Sequence, residues 1–256
     1  MNIKSKIIDR NSIIAIIGLG YVGLPLLLRF SNEGFTTVGF DIDEEKVTSL
    51  NAGESYIKHI EPDKVSLALK HGFRATTDFS EISNMDVILI CVPTPLAEGN
   101  EPDLSYVRST LSTIQPHLSE NQILILESTT YPGTTEEEIV PIVEDAGFRV
   151  GENYYVGYSP EREDPGNPNF KTQTIPKVVS GYTDKCLELI DTLYSQVIEK
   201  TVPVSSLRVA EMTKILENIH RAVNIGLMNE LKMVNDMKFC WCILFSRVST
   251  IALYLD

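Results

Sequence analysis

An apolar run that breaks into a glycine-rich turn constrains the fold of this chain more than any other feature. Residues 13–17 suit a buried strand, the next six residues read Gly-Leu-Gly-Tyr-Val-Gly, and residues 24–30 continue as an apolar, helix-like segment. In a strand–turn–helix unit Gly18 permits the tight turn, Gly20 lets a phosphate approach the backbone and Gly23 lets the helix pack closely. Free N–H groups at the helix N-terminus then face the phosphates. The pattern predicts a dinucleotide-binding unit.

A carboxylate follows the second apolar run and favours one dinucleotide. Residues 36–40 form that run, and Asp41 comes directly after it. A carboxylate at this offset accepts hydrogen bonds from the adenosine ribose hydroxyls and repels a 2′-phosphate. We therefore expect NAD as the cofactor. The alternative is a glycine turn in another α/β protein, with Asp41 at a solvated strand end.

The rest of the chain alternates short apolar runs with helical patterns. Further apolar runs cover residues 86–91, 122–127, 154–158 and 177–181, and helical patterns cover residues 44–52, 62–71, 103–115, 134–146 and 184–198. This alternation is typical of an α/β fold with a doubly wound parallel sheet, the Rossmann type. A segment without proline, residues 205–236, predicts a long helix after the sheet.

Charge and cysteine content argue against several classes of partner. A formal charge of −13 disfavours nucleic acid, which is bound by clustered Lys and Arg. The four cysteines lack the spacing of zinc ligands, so we expect no metal and free thiols in a reducing cytoplasm. The N-terminus carries no secretory signal pattern, and the apolar stretch near residue 245 is short and split by Arg247. We expect neither secretion nor membrane attachment.

Ligands of a doubly wound sheet lie beyond the carboxyl ends of its strands, and here the loops at those ends carry distinctive motifs. In chain order the motifs are G-L-G-Y-V-G-L-P from residue 18, D-I-D from 41, C-V-P-T-P from 91, E-S-T-T-Y-P-G-T-T from 127, Y-S-P-E-R-E-D-P-G-N from 158 and E-M-T-K-I-L-E-N from 211. Their order and spacing resemble the UDP-glucose/GDP-mannose dehydrogenase family over residues 13–236. The S-P-E-R-E-D-P-G-N loop is most similar to the branch that oxidises UDP-N-acetylglucosamine.

The resemblance implies an NAD-dependent 6-dehydrogenase of surface polysaccharide biosynthesis. Such an enzyme performs two successive hydride transfers, which convert UDP-N-acetylglucosamine to the uronic acid. By motif, the resemblance implies cofactor contacts for Gly18, Gly20, Tyr21, Val22, Gly23, Asp41, Lys46, Val92, Pro93, Thr94 and Thr129.

Four residues match the catalytic positions of the family. Thr129 corresponds to the threonine that positions a water or the reacting hydroxyl, and Glu161 to the carboxylate that performs acid/base work. Lys214 and Asn218 correspond to the pair that stabilises the developing oxyanion. They share one helix face with Glu211 and Arg221, and a solvated stripe is the alternative interpretation. The opposite face is apolar, and the resemblance implies a homodimer through this helix.

The resemblance ends after Asp236. Residues 237–256 follow no family pattern, and we expect the nucleophilic cysteine and the UDP-sugar-binding domain of the family to be absent from this chain. A tail translated out of frame would explain this. We therefore expect a Rossmann-like domain over residues 1–203, a long helix over 204–236 that begins the dimerisation domain, and a non-family tail. The alternatives are an NAD-binding chain that cannot complete the chemistry, and a β-hydroxyacid dehydrogenase.

Overall fold

The computed structural model describes residues 2–58, 60–96, 102–161 and 175–235 of the chain. The chain divides into two compact units, residues 1–215 and 216–256. The expected tail, residues 237–256, lies outside the described residues.

Helices and strands alternate through the first unit. The helices are α1 (Ile3–Ile8), α2 (Gly23–Asn32), α3 (Glu44–Asn51), α4 (Pro62–Lys70), α5 (Ser105–Ile114), α6 (Val140–Asp145), α7 (Asp184–Tyr194) and α8 (Leu207–Asn235), the last of which continues into the second unit. The strands are β1 (Ile13–Ile17), β2 (Thr36–Phe40), β3 (Arg74–Thr76), β4 (Val87–Ile90), β5 (Ile123–Leu126), β6 (Tyr155–Tyr158), β7 (Lys177–Gly181) and β8 (Thr201–Pro203).

The strands of the described residues form one sheet in the order β3-β2-β1-β4-β5-β6-β7-β8. The chain begins at β1, extends the sheet to β3 on one side and then returns to add β4 next to β1. This reversal between β1 and β4 is the switch point at which open α/β sheets bind ligands. The α/β Rossmann-type fold predicted from the sequence is confirmed.

One pairing departs from the predicted parallel sheet. Strand β7 runs antiparallel to β6, with Tyr158 opposite Ser180, whereas the six pairs that join the other neighbouring strands are parallel. Buried apolar strands have the same composition in either direction, so the run at residues 177–181 did not indicate its direction. The short strands β3 and β8 were not predicted, because three residues are too few to show a period.

Both faces of the sheet are covered, which explains why its strands are apolar without alternation. On one face Ile14 and Ile16 pack with α2 and α7, and on the other Ala15 and Ile17 pack with α5. Transfer of such side chains from water contributes about 25 cal/mol per Å² of apolar area. Two hydrophobic layers therefore fix the strand ends, and with them the loops that carry the motifs.

Local signals set the helix boundaries. Asp43 and Thr183 cap α3 and α7, since their side chains accept hydrogen bonds from backbone N–H groups of the first turn. The predicted helix at residues 134–146 divides into a π-helical turn, Thr135–Ile139, followed by α6. Pro141 has no N–H to donate to the carbonyl of residue 137, so the hydrogen bonding of the helix changes there.

The second unit contains the later part of α8, and its described side chains are mostly exposed. Leu216, Val223 and Ile225 are 59, 62 and 62% exposed. The apolar face predicted for this helix includes Ile225, which is thus exposed, and Met233, whose side chain lies outside the described residues. Of the helices in the described residues, none is both long and apolar enough to cross a membrane.

Candidate functional site

The glycine-rich turn between β1 and α2 is shaped by close backbone contacts. Gly18 has a φ of +91°, which L-residues rarely adopt, and its N–H donates to the Phe40 carbonyl at 2.8 Å. A Cβ on Gly23 would lie 1.9 Å from the Gly18 carbonyl oxygen. Both glycines are therefore required for the turn to close against the helix.

Gly20 differs from its neighbours, because a Cβ there would meet nothing within 4 Å. It faces open space just before α2, and no side chain of the described residues caps that helix N-terminus. An anion placed over Gly20 can approach the backbone and accept from the first N–H groups of the helix. The turn thus fits a pyrophosphate.

Asp41, directly after β2, is held against this turn. Its carboxylate accepts from the Leu19 N–H at 2.9 Å and from the Asp43 N–H at 3.1 Å. The ammonium of Lys46 lies 3.4 Å from Asp41 Oδ2. Asp41 is 7% exposed, yet it lines the cavity at the switch point. Backbone donors orient the carboxylate, as a contact to ribose hydroxyls requires.

Tyr56 reaches over the same turn and was not singled out from the sequence. Its hydroxyl donates to the Leu19 carbonyl. Burial, and then the charges of Asp41 and Asp43, raise the pKa of the Tyr56 hydroxyl. It therefore remains a neutral donor at physiological pH.

The loops after β4 and β5 are joined by two hydrogen bonds. Thr94 Oγ1 donates to the Thr129 carbonyl at 2.7 Å, and Ser128 Oγ donates to the Val92 carbonyl at 2.6 Å. The C-V-P-T-P and E-S-T-T motifs therefore form one wall. Its position beyond β4 and β5 places it on the far side of the switch point from Asp41.

These loops enclose a cavity of about 700 Å³. Of the residues predicted to contact cofactor or substrate, the lining includes Gly18, Gly20, Tyr21, Val22, Asp41, Lys46, Val92, Pro93, Thr94, Thr129, Glu161 and Lys214. Gly23 packs behind the turn instead. The volume lies within the range of small-molecule sites, which is about 300–1,000 Å³.

Lys214 and Glu161 meet at this cavity from distant parts of the sequence. Lys214 is in the second turn of α8, and its ammonium donates to the backbone carbonyl of Glu161. The remainder of the acidic loop after Glu161, residues 162–174, lies outside the described residues. Asn218 belongs to the second unit, where it accepts a hydrogen bond from Arg221 at 2.7 Å.

Glu211, one turn before Lys214, is buried rather than part of a solvated stripe. Its carboxylate accepts from the N–H groups of Gly133 and Thr135 and from the Thr135 hydroxyl, at 2.5, 2.9 and 2.7 Å. Burial raises the pKa of Glu211, and these hydrogen bonds oppose the rise. The first turns of α8 are thus attached to the loop that follows Thr129.

A buried ionic cluster behind the cavity was also not predicted. Lys177 donates to Glu127 Oε2 at 2.8 Å, and Tyr194 donates to the other carboxylate oxygen. All three residues are at most 6% exposed, and Glu127 lines the cavity. Although burial acts to lower it, the charge of Glu127 raises the pKa of Lys177. The lysine is therefore a buried cation.

Helix α5 supplies a second group of lining residues that sequence reasoning missed, namely Tyr106, Ser109, Thr110 and Thr113. Their spacing of i, i+3, i+4 and i+7 is a helical face, so the signal was present in the sequence. It was not recognised because hydroxyl side chains on a helix normally face solvent.

Cys91, at the end of β4, lines the cavity but is only 8% exposed. Burial, and then the charges of Glu127 and Glu161, raise the pKa of its thiol well above the ordinary value. Since a thiolate is the nucleophilic form of cysteine, Cys91 is a poor nucleophile. The clusters of His, Cys, Asp and Glu in the described residues include no group placed to hold a metal ion.

Comparison with known proteins matches the part of the chain that contains most of the sheet and the cavity loops. The model of the NAD-binding domain of the UDP-glucose/GDP-mannose dehydrogenase family matches residues 12–198. Protein CapL of Staphylococcus aureus is 40% identical over 228 residues, which are 88% of this chain and 53% of that protein. UDP-N-acetyl-D-glucosamine 6-dehydrogenase of Pseudomonas aeruginosa is 39% identical over 223 residues, 86% of this chain and 52% of that protein.

Solved structures agree in fold. UDP-D-ManNAc dehydrogenase from Pyrococcus horikoshii superimposes with a TM-score of 0.81 and 34% identity, over 87% of this chain and 53% of that one. The chain thus spans about half the length of the two curated relatives and of the solved structure named above.

Proposed function

Because the chain belongs to the UDP-glucose/GDP-mannose dehydrogenase family, we propose that it supplies the NAD-binding half of a nucleotide-sugar 6-dehydrogenase. UDP-N-acetylglucosamine is the proposed substrate and its uronic acid the product, for surface polysaccharide synthesis. The name of the Pseudomonas aeruginosa relative supports this sugar, while other relatives are named for UDP-N-acetyl-D-mannosamine. Family membership favours this function over a β-hydroxyacid dehydrogenase.

One observation carries the proposal: a single cavity is lined both by the glycine turn with Asp41 and by Thr129, Glu161 and Lys214. The residues proposed to bind the cofactor and those proposed for acid/base work therefore line the same cavity. Hydride transfer requires this arrangement, because donor carbon and acceptor ring must approach within contact distance.

The residues present fit NAD. Gly20 leaves space for the pyrophosphate, the N-terminus of α2 faces it, and the backbone-held carboxylate of Asp41 suits the adenosine ribose. Lys46 would add a donor beside that ribose. Val92, Pro93 and Thr94 would line the ribose nearer the reacting ring.

When bound, NAD accepts the hydride that leaves C6 of the sugar. In the first oxidation the C6 hydroxyl also loses a proton, and Thr129 would hold the water that receives it. Lys214 carries a fixed positive charge at the cavity wall, which would stabilise the oxygen as negative charge develops. We assign Asn218 to the same role, and Glu161 to acid/base work on the water that releases the acid product after the second oxidation.

The second oxidation, from aldehyde to acid, requires a nucleophile to add to the aldehyde before hydride can leave. Among the described residues the free cysteines are Cys91 and Cys186, and both are buried. This favours a second candidate function, an NAD-binding chain that does not by itself complete the oxidation.

We further propose that residues 1–203 form the cofactor domain and that residues 204–236 begin a dimerisation domain. The exposed apolar side chains of α8 support a homodimer. The cytoplasm is the proposed location, since both NAD and nucleotide sugars are available there.

The test is NADH formation with purified protein, NAD and UDP-N-acetylglucosamine, together with calorimetric NAD binding. Two NADH per sugar would establish the full reaction. NAD binding without turnover would establish the second candidate, and absence of NAD binding would refute both.

A further inference from the structure

The buried ion pair of Lys177 and Glu127 joins two strand ends at the cavity. Lys177 is the first residue of β7, and Glu127 follows β5 directly. Their charged atoms are 2.8 Å apart, and their side chains are 7 and 0% exposed. Tyr194 of α7 donates to the same carboxylate, and the Lys177 ammonium lies 5.0 Å from the centre of its ring.

Lys177 also contacts the loop that carries Glu161. Its ammonium lies 3.5 Å from the carbonyl oxygen of Pro160, the residue before Glu161. Glu127 in turn precedes Ser128 and Thr129, whose loop is bonded to the wall after β4. A single cation therefore connects the two loops that bear Thr129 and Glu161.

We propose that Lys177 is a positioning residue, which holds these two loops in register around the nicotinamide end of the bound dinucleotide. This proposal rests on the NAD-dependent function proposed above. Lys177 itself is absent from the cavity lining, so it acts through Glu127 and Pro160.

Stability alone is a weak reason for this pair. The desolvation of two buried charges offsets most of their attraction, and apolar residues of similar volume often replace such pairs without loss of stability. An ion pair does, however, impose a direction and a distance that apolar packing does not. This pair lies between two loops of the cavity, so the distance and direction that it imposes on those loops would affect a bound ligand.

The experiment compares two ligands on the 256-residue chain. In the proposed binding mode, ADP would contact only the glycine turn and the Asp41 side, whereas NADH would also contact the wall that carries Thr129. Calorimetry measures both dissociation constants, and NADH fluorescence reports the environment of the nicotinamide ring. We expect Lys177→Met to weaken NADH binding by about tenfold while the ADP dissociation constant changes by less than about twofold.

Two further variants keep the result interpretable. Glu127→Gln removes the partner charge at nearly constant volume and should produce a loss in the same direction, even where Lys177→Met does not fold. Lys6→Met is the matched control, because Lys6 forms a 2.7 Å ion pair with Asp86, the residue directly before β4. That pair lies at the amino end of β4, whereas the cavity lies beyond its carboxyl end. Its loss should therefore leave the ratio of the NADH and ADP dissociation constants unchanged.

Failure of the inference is distinguishable from failure of the proposed function. If wild type binds both ligands and the ratio is unchanged in Lys177→Met and Glu127→Gln, the inference is wrong and NAD binding stands. An equal change of the ratio in Lys6→Met would also overturn it. If wild type binds neither ligand, the proposed function fails as well.

Discussion

Glu211 and Thr135 are joined by two hydrogen bonds, since one carboxylate oxygen accepts from both the backbone N–H, at 2.9 Å, and the hydroxyl, at 2.7 Å. The other oxygen accepts from the Gly133 N–H at 2.5 Å. A buried charge is tolerated here because three donors surround it. The contact attaches the beginning of α8, with Lys214, to the loop that contains Thr129.

Glu211→Gln should destabilise the fold. The amide has one acceptor oxygen instead of two, so at least one donor of the loop loses its partner. An unsatisfied buried donor costs about 1–3 kcal/mol. Urea denaturation should show this loss for Glu211→Gln and none for Glu144→Gln, an exposed glutamate on α6. Equal stability of the two variants would contradict the anchoring role.

Alanine at two glycines of the turn should separate folding from cofactor binding. In Gly23→Ala the new methyl group would lie 1.9 Å from the Gly18 carbonyl oxygen, so the helix must move. Overpacking of this kind costs about 1–3 kcal/mol. In Gly20→Ala the methyl group meets open space, so stability should be retained.

The second alanine instead occupies the space offered to a pyrophosphate. We expect Gly20→Ala to bind NAD at least about tenfold more weakly than wild type, as measured by calorimetry. Unchanged NAD affinity in a fully folded Gly20→Ala protein would show that the phosphates do not lie over this turn.

Asp41→Asn should weaken the preference for NAD over NADP. The amide keeps an acceptor for the Leu19 N–H, which now bonds to the carboxylate at 2.9 Å. It removes the charge that would repel a 2′-phosphate. We expect the ratio of the NADP and NAD dissociation constants to fall by about tenfold, or about 1.4 kcal/mol.

The control for this change is Asp78→Asn, which alters an exposed cap residue outside the cavity. Its NADP-to-NAD ratio should match that of wild type. If both variants change the ratio alike, the total charge of the protein, and not Asp41, would determine the preference.

Arg108→Gln should reduce stability in a pH-dependent way. Arg108 of α5 forms two hydrogen bonds with Glu138, at 2.8 and 2.6 Å, and these hold the pKa of the Glu138 carboxyl below its ordinary value of 4.5. A group whose pKa is lowered on folding adds stability above its unfolded pKa and loses it as the pH falls through the folded pKa.

The difference in unfolding free energy between wild type and Arg108→Gln should therefore be full above pH 4.5 and disappear in stronger acid. We expect a small difference, because the guanidinium is exposed and solvent screens the pair. Urea denaturation across this pH range measures it. A difference that persists unchanged in strong acid would assign the effect to packing and not to the ion pair.

Features that depend on neighbouring residues could be read from the sequence. The glycine turn and Asp41 lie within one βαβ unit, where spacing along the chain determines spacing in space.

 The apolar runs of the sequence located β1, β2, β4, β5, β6 and β7. The strands β3 and β8, and the antiparallel direction of β7, came only from the structure.

The site was predictable in part for the same reason. Because parallel strands end at one edge of a sheet, the loops that carry Val92 and Thr129 were both expected at the ligand-binding edge. The structure adds that they are joined, since Thr94 donates to the Thr129 carbonyl. The roles of Thr129, Glu161, Lys214 and Asn218 remain predictions.

What the sequence alone determined is the cofactor unit, since a strand, a glycine turn and a carboxylate are local features whose geometry follows from their spacing. Only the tertiary structure decided which distant charged and polar groups are buried together. Lys177 and Glu127 are 50 residues apart, and Glu211 and Thr135 are 76 apart. No local pattern encodes such pairs, because each forms only when the packing of whole strands and helices removes both partners from water.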